Sequence, residues 1–280
     1  MISYKETAID RALNLTSIDL GDYVINPYKG CEYGCLYCYV RNNKNVKTKK
    51  QPWGSYVESR INIIEKLKDE LKHKHLKRVL IGSTTEPFQP IENKYKLTRE
   101  ILKILTEHKI YYTILTRSPD ILQTIDILKE GFCENIYFTV NHFDARLKAL
   151  FENKAPDFAQ RIEAINTLSS SNLPVVPYFS PILPFISGYK RFLEEISIVK
   201  RIEFECLNFN IPEFDSIIEV VKSIYPGFEK NYFKMRNDER YFIEVWDKIE
   251  NEIFQLCKTK NISIKIHKHK YQSFFENSYK

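Results

Sequence analysis

Along most of this 280-residue chain, short apolar runs alternate with longer stretches whose apolar positions recur every three or four residues. The runs read as strands and the periodic stretches as helices. Residues 22–26 predict a first strand, and residues 61–74 an amphipathic helix with Ile64, Leu67 and Leu71 on one face. Further strands are expected at 78–83, 111–116, 135–141, 173–179 and 202–207. Between them lie helices at 97–108, where Ile101, Leu102 and Leu105 recur, then at 145–151, 157–168, 189–200 and 214–224. Ser118-Pro119 marks another helix start, with serine as N-cap and proline at the first helical position. The prolines within 173–179 point to an exposed or irregular edge strand. A long helix over about 238–258 and a last strand at 262–266 complete the pattern.

Repeated strand–helix units favour an α/β fold, with a mostly parallel sheet and helices outside. Six main strands are too few for a closed eight-unit barrel, so an open, partial barrel is expected. No linker-like stretch or internal repeat divides the chain. Residues 1–280 therefore read as one domain, with a C-terminal helix and strand extension over about 236–270.

An apolar fraction of 43% and a charged fraction of 28% belong to an ordinary globular protein. The net charge of +6 permits a nucleic acid or another polyanion as partner without requiring one. No apolar run is long enough to span a bilayer, and residues 1–6 lack the apolar core of a signal peptide. A cytoplasmic protein with no membrane partner is expected. In that reducing compartment six cysteines are not naturally three disulfides.

Three of the six, Cys31, Cys35 and Cys38, fall within eight residues, in the loop 26–41 that follows the first strand. Their spacing is C-x3-C-x2-C, with Tyr37 before the last. Thiolates hold iron–sulfur clusters, and a four-iron cluster normally takes four, so three local cysteines leave one iron open. Gly30 and Gly34 let the backbone turn tightly around a bulky group. Two other readings stand beside this one. A structural zinc site would need a fourth ligand, and His73 and His75 are distant and on a predicted helix. Incidental buried cysteines would rarely cluster so closely.

The Cys31-x3-Cys35-x2-Cys38 spacing with Tyr37 resembles that of the radical S-adenosylmethionine (SAM) superfamily. The resemblance implies a partial (β/α)6 barrel and a [4Fe–4S] cluster whose open iron is chelated by SAM. Reductive cleavage of SAM to a 5′-deoxyadenosyl radical and abstraction of a substrate hydrogen atom are implied with it. So is an electron donor such as a flavodoxin or ferredoxin.

Further motifs resemble the spore photoproduct lyase branch and its "DNA repair photolyase" relatives. They are Gly30-Cys31, Tyr37-Cys38-Tyr39, residues 82–87 (GSTTEP), Leu115-Thr116-Arg117-Ser118, Phe138-Thr139-Val140-Asn141, Pro181-Ile182 and Phe204-Glu205. By this likeness Glu86 would accept a bond from the SAM amine, and Arg117, where the lyases carry lysine, would hold the SAM carboxylate. Thr139 and Asn141 share one strand face and would meet the ribose hydroxyls. Glu205, in an otherwise apolar strand, is expected to face the cleft.

Ser83 stands where the lyase carries its hydrogen-donating cysteine, and a serine O–H is too strong a bond for that task. DNA or a nucleobase is thus one substrate class, and a peptide or small metabolite another; a non-catalytic zinc module is a third reading of the chain. Cys133, Cys206 and Cys257 read as ordinary buried thiols. Lys47, Lys49 and Lys50 beside Trp53 and Tyr56 offer phosphate and stacking contacts, although a solvated loop is commoner. His267-Lys268-His269-Lys270 reads as surface.

Overall fold

A computed structural model describes residues 2–271, except 44, 45, 47–49, 142, 197, 198 and 212. Its strands in chain order are β1 (Ser3–Thr7), β2 (Asn14–Leu15), β3 (Tyr23–Ile25), β4 (Tyr28–Lys29), β5 (Tyr56–Arg60) and β6 (Arg78–Ile81). They continue with β7 (Tyr111–Thr116), β8 (Cys133–Val140), β9 (Val175–Ile182), β10 (Arg201–Cys206) and β11 (Ser263–His267). The main sheet has the order β11-β10-β9-β8-β7-β6-β3-β2, and only β2 runs antiparallel to its neighbour. Successive parallel strands with helical crossovers make this the expected open α/β barrel, and β11 adds a seventh parallel strand to the six counted.

The helices form because their apolar stripes find the sheet. Leu97–Glu107 buries Ile101, Leu102 and Leu105 as the periodicity requires. In Ile63–Leu71 the fully buried positions are Ile63 and Leu67, while Ile64 and Leu71 flank the core. Ser118 caps as expected, its Oγ accepting from the Asp120 N–H, and opens a short 3-10 turn over Pro119–Thr124.

Two expectations change. β9 is not an edge: it lies between β8 and β10, with Pro177 opposite Phe138. Proline there removes a ladder donor, but Val176, Phe179 and Ile182 are buried on a strand flanked on both sides, and that burial decides the position. The irregularity does exist, as a register shift against β10 between Phe204 and Cys206. The helix expected over 189–200 spans only Tyr189–Glu195, and Ile196 is already extended.

A small second sheet, β1-β5-β4, was not anticipated. All seven parallel strands end on one side of the main sheet, which is where the cysteine loop begins. The segment after β10 stays on that side as well. Its helices Phe214–Ile224 and Glu229–Asn237 are tied there by Tyr225 to Asp144 and by Tyr232 to the Pro184 carbonyl.

Candidate active site

The cysteine loop leaves β4 at Gly30, whose φ of +88° suits glycine and whose Cβ, if present, would lie 2.3 Å from the Tyr56 carbonyl. Gly34, at φ +57°, passes Gly54 so closely that a Cβ would stand 2.8 Å from its Cα. The second strand end clamps the loop: Thr85 Oγ1 donates to the Gly30 carbonyl at 2.5 Å, and Gln89 Oε1 accepts from the Glu32 N–H at 2.9 Å. Arg41 donates to the carbonyls of Gly34 and Cys35 at 2.9 and 3.0 Å.

Cys35 is buried, and Cys31 and Cys38 are half-buried; all three are free thiols. Burial, then the neighbouring cysteines, push Cys31 up to about 12 and Cys38 up to about 11. Thiols that raise one another in this way are close but mutually repulsive as thiolates, so the donor set suits a cationic metal centre. Among the described residues no three His, Cys, Asp or Glu side chains converge on one point as ligands of a single ion would.

Around Cys35 the ends of three strands meet. Arg117, just past β7, donates from Nη1 to Cys35 Sγ at 3.2 Å, to the Tyr37 hydroxyl at 2.8 Å and to Glu152 Oε1 at 3.0 Å. Asn141, just past β8, donates from Nδ2 to the same Tyr37 hydroxyl at 3.0 Å, to Glu152 Oε1 at 3.3 Å and to the Ser180 carbonyl of β9 at 2.7 Å. The Tyr37 hydroxyl donates to Glu152. Asn141 Oδ1 is buried and has no partner among the described residues. A buried acceptor left open costs free energy unless a bound group supplies the donor.

Glu152 is the hub of this network, although no motif announced it. It follows the helix Ala145–Phe151 and is 2% exposed, paired on its other oxygen with the buried Arg161. Burial would raise its carboxyl, but Arg161 and Arg117 more than reverse this and hold it at about 2. Two guanidiniums to one carboxylate leave a surplus positive charge beside Cys35. The missed signal was Arg161 itself. In the helix Phe158–Ser170 it shares a stripe with Ile165 and Leu168, and a charge on an apolar stripe needs a buried partner.

Glu86, in the loop after β6, is buried. Its carboxylate accepts from Thr116 Oγ1 at 2.6 Å, from the Arg117 N–H at 2.8 Å and from the Phe88 N–H at 3.0 Å. Burial raises its carboxyl despite these donors. Glu86 thereby ties β6 to β7 and fixes where Arg117 starts. Thr139 sits half-buried on β8 opposite Tyr178, outside the bonded network around Tyr37. Ser83 adjoins the loop, its carbonyl accepting from Tyr39 and its Oγ from Asn26 at 3.3 Å.

The reading of residues 267–270 as surface holds for the exposed Lys268 and Lys270 but not for the two half-buried histidines. His267 Nε2 lies 2.6 Å from Glu203 and His269 Nε2 3.4 Å from Glu205, because β11 pairs with β10. Glu205 also accepts from Ser180 Oγ at 2.5 Å. Burial opposes its charge, yet His269, Ser180 and Tyr178 hold its carboxyl below the usual range. Glu205 therefore faces the same strand ends as Asn141, through Ser180. Lys47 and Lys49 lie outside the described residues, and Tyr56 is 1% exposed with its ring edge-on to Trp53, so it is not offered to an outside base.

Residues 25–191 match the family described as Radical SAM superfamily. The chain is 30% identical over 260 residues to "Uncharacterized protein MJ0683" of Methanocaldococcus jannaschii, covering 91% of this chain and 93% of that protein. It is 21% identical to "Uncharacterized protein Rv2578c" of Mycobacterium tuberculosis, spanning 58% of that protein's length and 68% of its own. Among solved structures, spore photoproduct lyase complexed with dinucleoside spore photoproduct superposes with a TM-score of 0.66 at 12% identity, over 94% of this chain and 82% of the lyase. Streptococcus suis SuiB bound to its precursor peptide SuiA gives 0.51 at 13% identity, over 88% of this chain and 48% of SuiB. Both likenesses are of fold.

Proposed function

Because this chain belongs to the radical SAM superfamily, we propose that Cys31, Cys35 and Cys38 hold a [4Fe–4S] cluster and that SAM binds beside them at the strand ends. One observation carries this reading: Arg117 bonds Cys35 and, together with Asn141, the Tyr37 hydroxyl, while the buried Asn141 Oδ1 has no partner among the described residues. Cys35 raises both Cys31 and Cys38, so the three thiols lie near one another in a single loop, as ligands of one cluster must. When bound, the cluster and SAM supply a 5′-deoxyadenosyl radical that abstracts a hydrogen atom from a substrate.

The chain's own residues hold and orient. Arg117 presents positive charge beside Cys35 and is the cation for the SAM carboxylate. Glu86 uses three of its roughly four accepting positions within the chain, and the remaining one takes the SAM ammonium. Asn141 Oδ1 accepts from a ribose hydroxyl, with Thr139 two residues earlier on the same face. Tyr37 stays a neutral donor, since burial pushes its hydroxyl well up. Glu152 and Arg161 are positioning residues: they fix the orientation of Arg117 and Tyr37.

For the substrate we favour a nucleobase within a nucleic acid. The net charge of +6 supports this, as does a fold shared with a lyase whose complex holds a dinucleoside. Ser83 at the end of β6 argues against that lyase's own repair reaction, for the bond-strength reason given above. A flavodoxin or ferredoxin is the expected electron donor.

The test is anaerobic reconstitution with iron and sulfide, reduction with dithionite and addition of SAM. Iron and sulfide in the ratio of a [4Fe–4S] cluster and release of 5′-deoxyadenosine are expected, both lost in Cys35→Ala. Stoichiometric zinc in place of iron, or a Cys35→Ala variant as active as the parent, would sink the proposal. Offering damaged oligonucleotides and peptides in the same assay decides between the substrate classes.

A further inference from the structure

Beside that site, the face formed by the strand ends carries a row of solvent-facing rings. The loop after β9 closes on itself: Ser187 Oγ accepts from the Leu183 N–H at 2.7 Å, and the Ser187 N–H donates back to the Leu183 carbonyl at 3.0 Å. Tyr232 pins the loop from below, donating to the Pro184 carbonyl at 2.6 Å. The turn holds Phe185 at φ +70°, a region that bulky residues avoid. The residue is nevertheless 44% exposed, with one side of its ring edge-on to Tyr232 at 5.9 Å. A strained backbone that presents an apolar ring to water is costly in two ways, and such features cluster where ligands bind.

Phe185 does not stand alone. Its ring lies edge-on to Phe228 at 6.4 Å, and Phe228, 38% exposed, stacks on Tyr225 at 5.6 Å. The Arg146 guanidinium lies over Tyr225 at 5.7 Å. Arg146 follows Asn141 by five residues and Phe185 follows Ser180 by five, so short segments join both ends of the row to residues of the site. Of the segments that build it, 222–237 carries Lys222, Lys230 and Lys234 against Glu229 as its sole carboxylate, while Lys190, Arg191 and Arg236 are paired with Glu252, Glu195 and Asp215. Successive rings with cations alongside suit a single-stranded polyanion: every base has a face to stack, and lysines and arginines follow the phosphates.

We propose that Arg146, Tyr225, Phe228 and Phe185 form a stacking platform for single-stranded nucleic acid flanking the base that is delivered to the site. This rests on the reading of the substrate as a nucleobase. The platform would hold the strand without reading its sequence.

Anisotropy of a fluorescein-labelled single-stranded oligothymidylate, titrated with the reconstituted enzyme, tests it. Binding should weaken steeply with salt, and Phe185→Ala and Phe228→Ala should each weaken it about fivefold or more. Arg146→Gln should lower the slope of log affinity against log salt by about one. Cluster absorbance and melting temperature, measured alongside, separate a lost contact from a misfolded variant. No binding by the parent enzyme, or unchanged affinity in both phenylalanine variants, overturns the platform. So does light scattering in which Phe185→Ala splits a dimer while leaving oligonucleotide affinity intact, since the occupant would then be a second copy. Release of 5′-deoxyadenosine is measured without the oligonucleotide, so failure of the platform and failure of the radical reading give different results.

Discussion

Replacing Glu152 with glutamine removes the charge from the hub while keeping the shape. In the native chain that carboxylate is 2% exposed and serves two guanidiniums, Arg117 at 3.0 Å and the buried Arg161. Its pKa of about 2, against an ordinary 4.5, corresponds to about 3 kcal/mol of folding free energy at neutral pH. Breaking one side of a buried pair costs about 3–5 kcal/mol by a separate route, because the other charge is stranded. The two figures agree. Glu152→Gln should therefore lower the unfolding free energy of the reduced, cluster-free protein by about 3 kcal/mol, or the melting temperature by about 6 °C at this chain length.

The sign of the pH dependence follows from the depressed pKa. The contribution is complete above the unfolded carboxyl value and drains away as pH falls toward about 2. The gap between parent and variant should thus narrow from pH 6 to pH 3. Urea unfolding followed by the fluorescence of Trp53 and Trp246 gives the measurement. A third variant guards the interpretation: Glu152→Met with Arg161→Met removes the carboxylate and its more buried partner, leaving Arg117 with Cys35 and Tyr37, and apolar replacement of a buried pair is often close to neutral. It should recover much of the loss, with a coupling of more than about 1 kcal/mol in the double-mutant cycle. A Glu152→Gln variant within about 0.5 kcal/mol of the parent, or a loss unchanged between pH 6 and pH 3, would refute the reasoning.

Other outcomes follow from the same geometry. Asn141→Ala should weaken SAM binding about tenfold, the worth of one good hydrogen bond to a buried group, with unchanged iron content; equal affinity in equilibrium dialysis would show that Oδ1 faces something else. Gly34→Ala would place a Cβ 2.8 Å from Gly54 at a φ of +57°, so iron incorporation during reconstitution should fall sharply, and full incorporation would count against a tightly packed loop. Arg117→Lys should retain the cluster, since the three contacts of Nη1 can be met by an ammonium's three donors, whereas Arg117→Met should lose it; iron analysis of both variants checks this. Glu205 is held below the ordinary carboxyl range by His269, Ser180 and Tyr178, so its stabilising share is present at neutral pH and is lost as pH falls through its lowered pKa. Glu205→Gln should accordingly cost more in thermal melts at pH 7 than at pH 4.

The main elements and the cysteine triad were legible because they rest on local chemistry. Periodicity places a helix at Leu97–Glu107 and strands at β6, β7 and β10, each within a residue or two. The Cys31, Cys35 and Cys38 spacing is read along the backbone alone, and so are the turns at Gly30 and Gly34. Tyr37, Arg117 and Asn141 were also named from the sequence, as strand-end and loop residues, and the fold joins them: Arg117 bonds both Cys35 and Tyr37, and Asn141 bonds Tyr37. β9 was misplaced because proline frequencies describe average strands, whereas its burial between β8 and β10 outweighs one missing donor.

What the sequence by itself determined was the repeating strand–helix order and the set of thiols, since apolar period and cysteine spacing act between residues near in the chain. Only the tertiary structure decided the electrostatics. Glu152 is 115 residues from Tyr37 and 35 from Arg117, and His269 meets Glu205 across 64. Whether such charges are solvated or locked in a buried network depends on which strand ends come together, and that is a property of sheet order and burial, which local pattern does not contain.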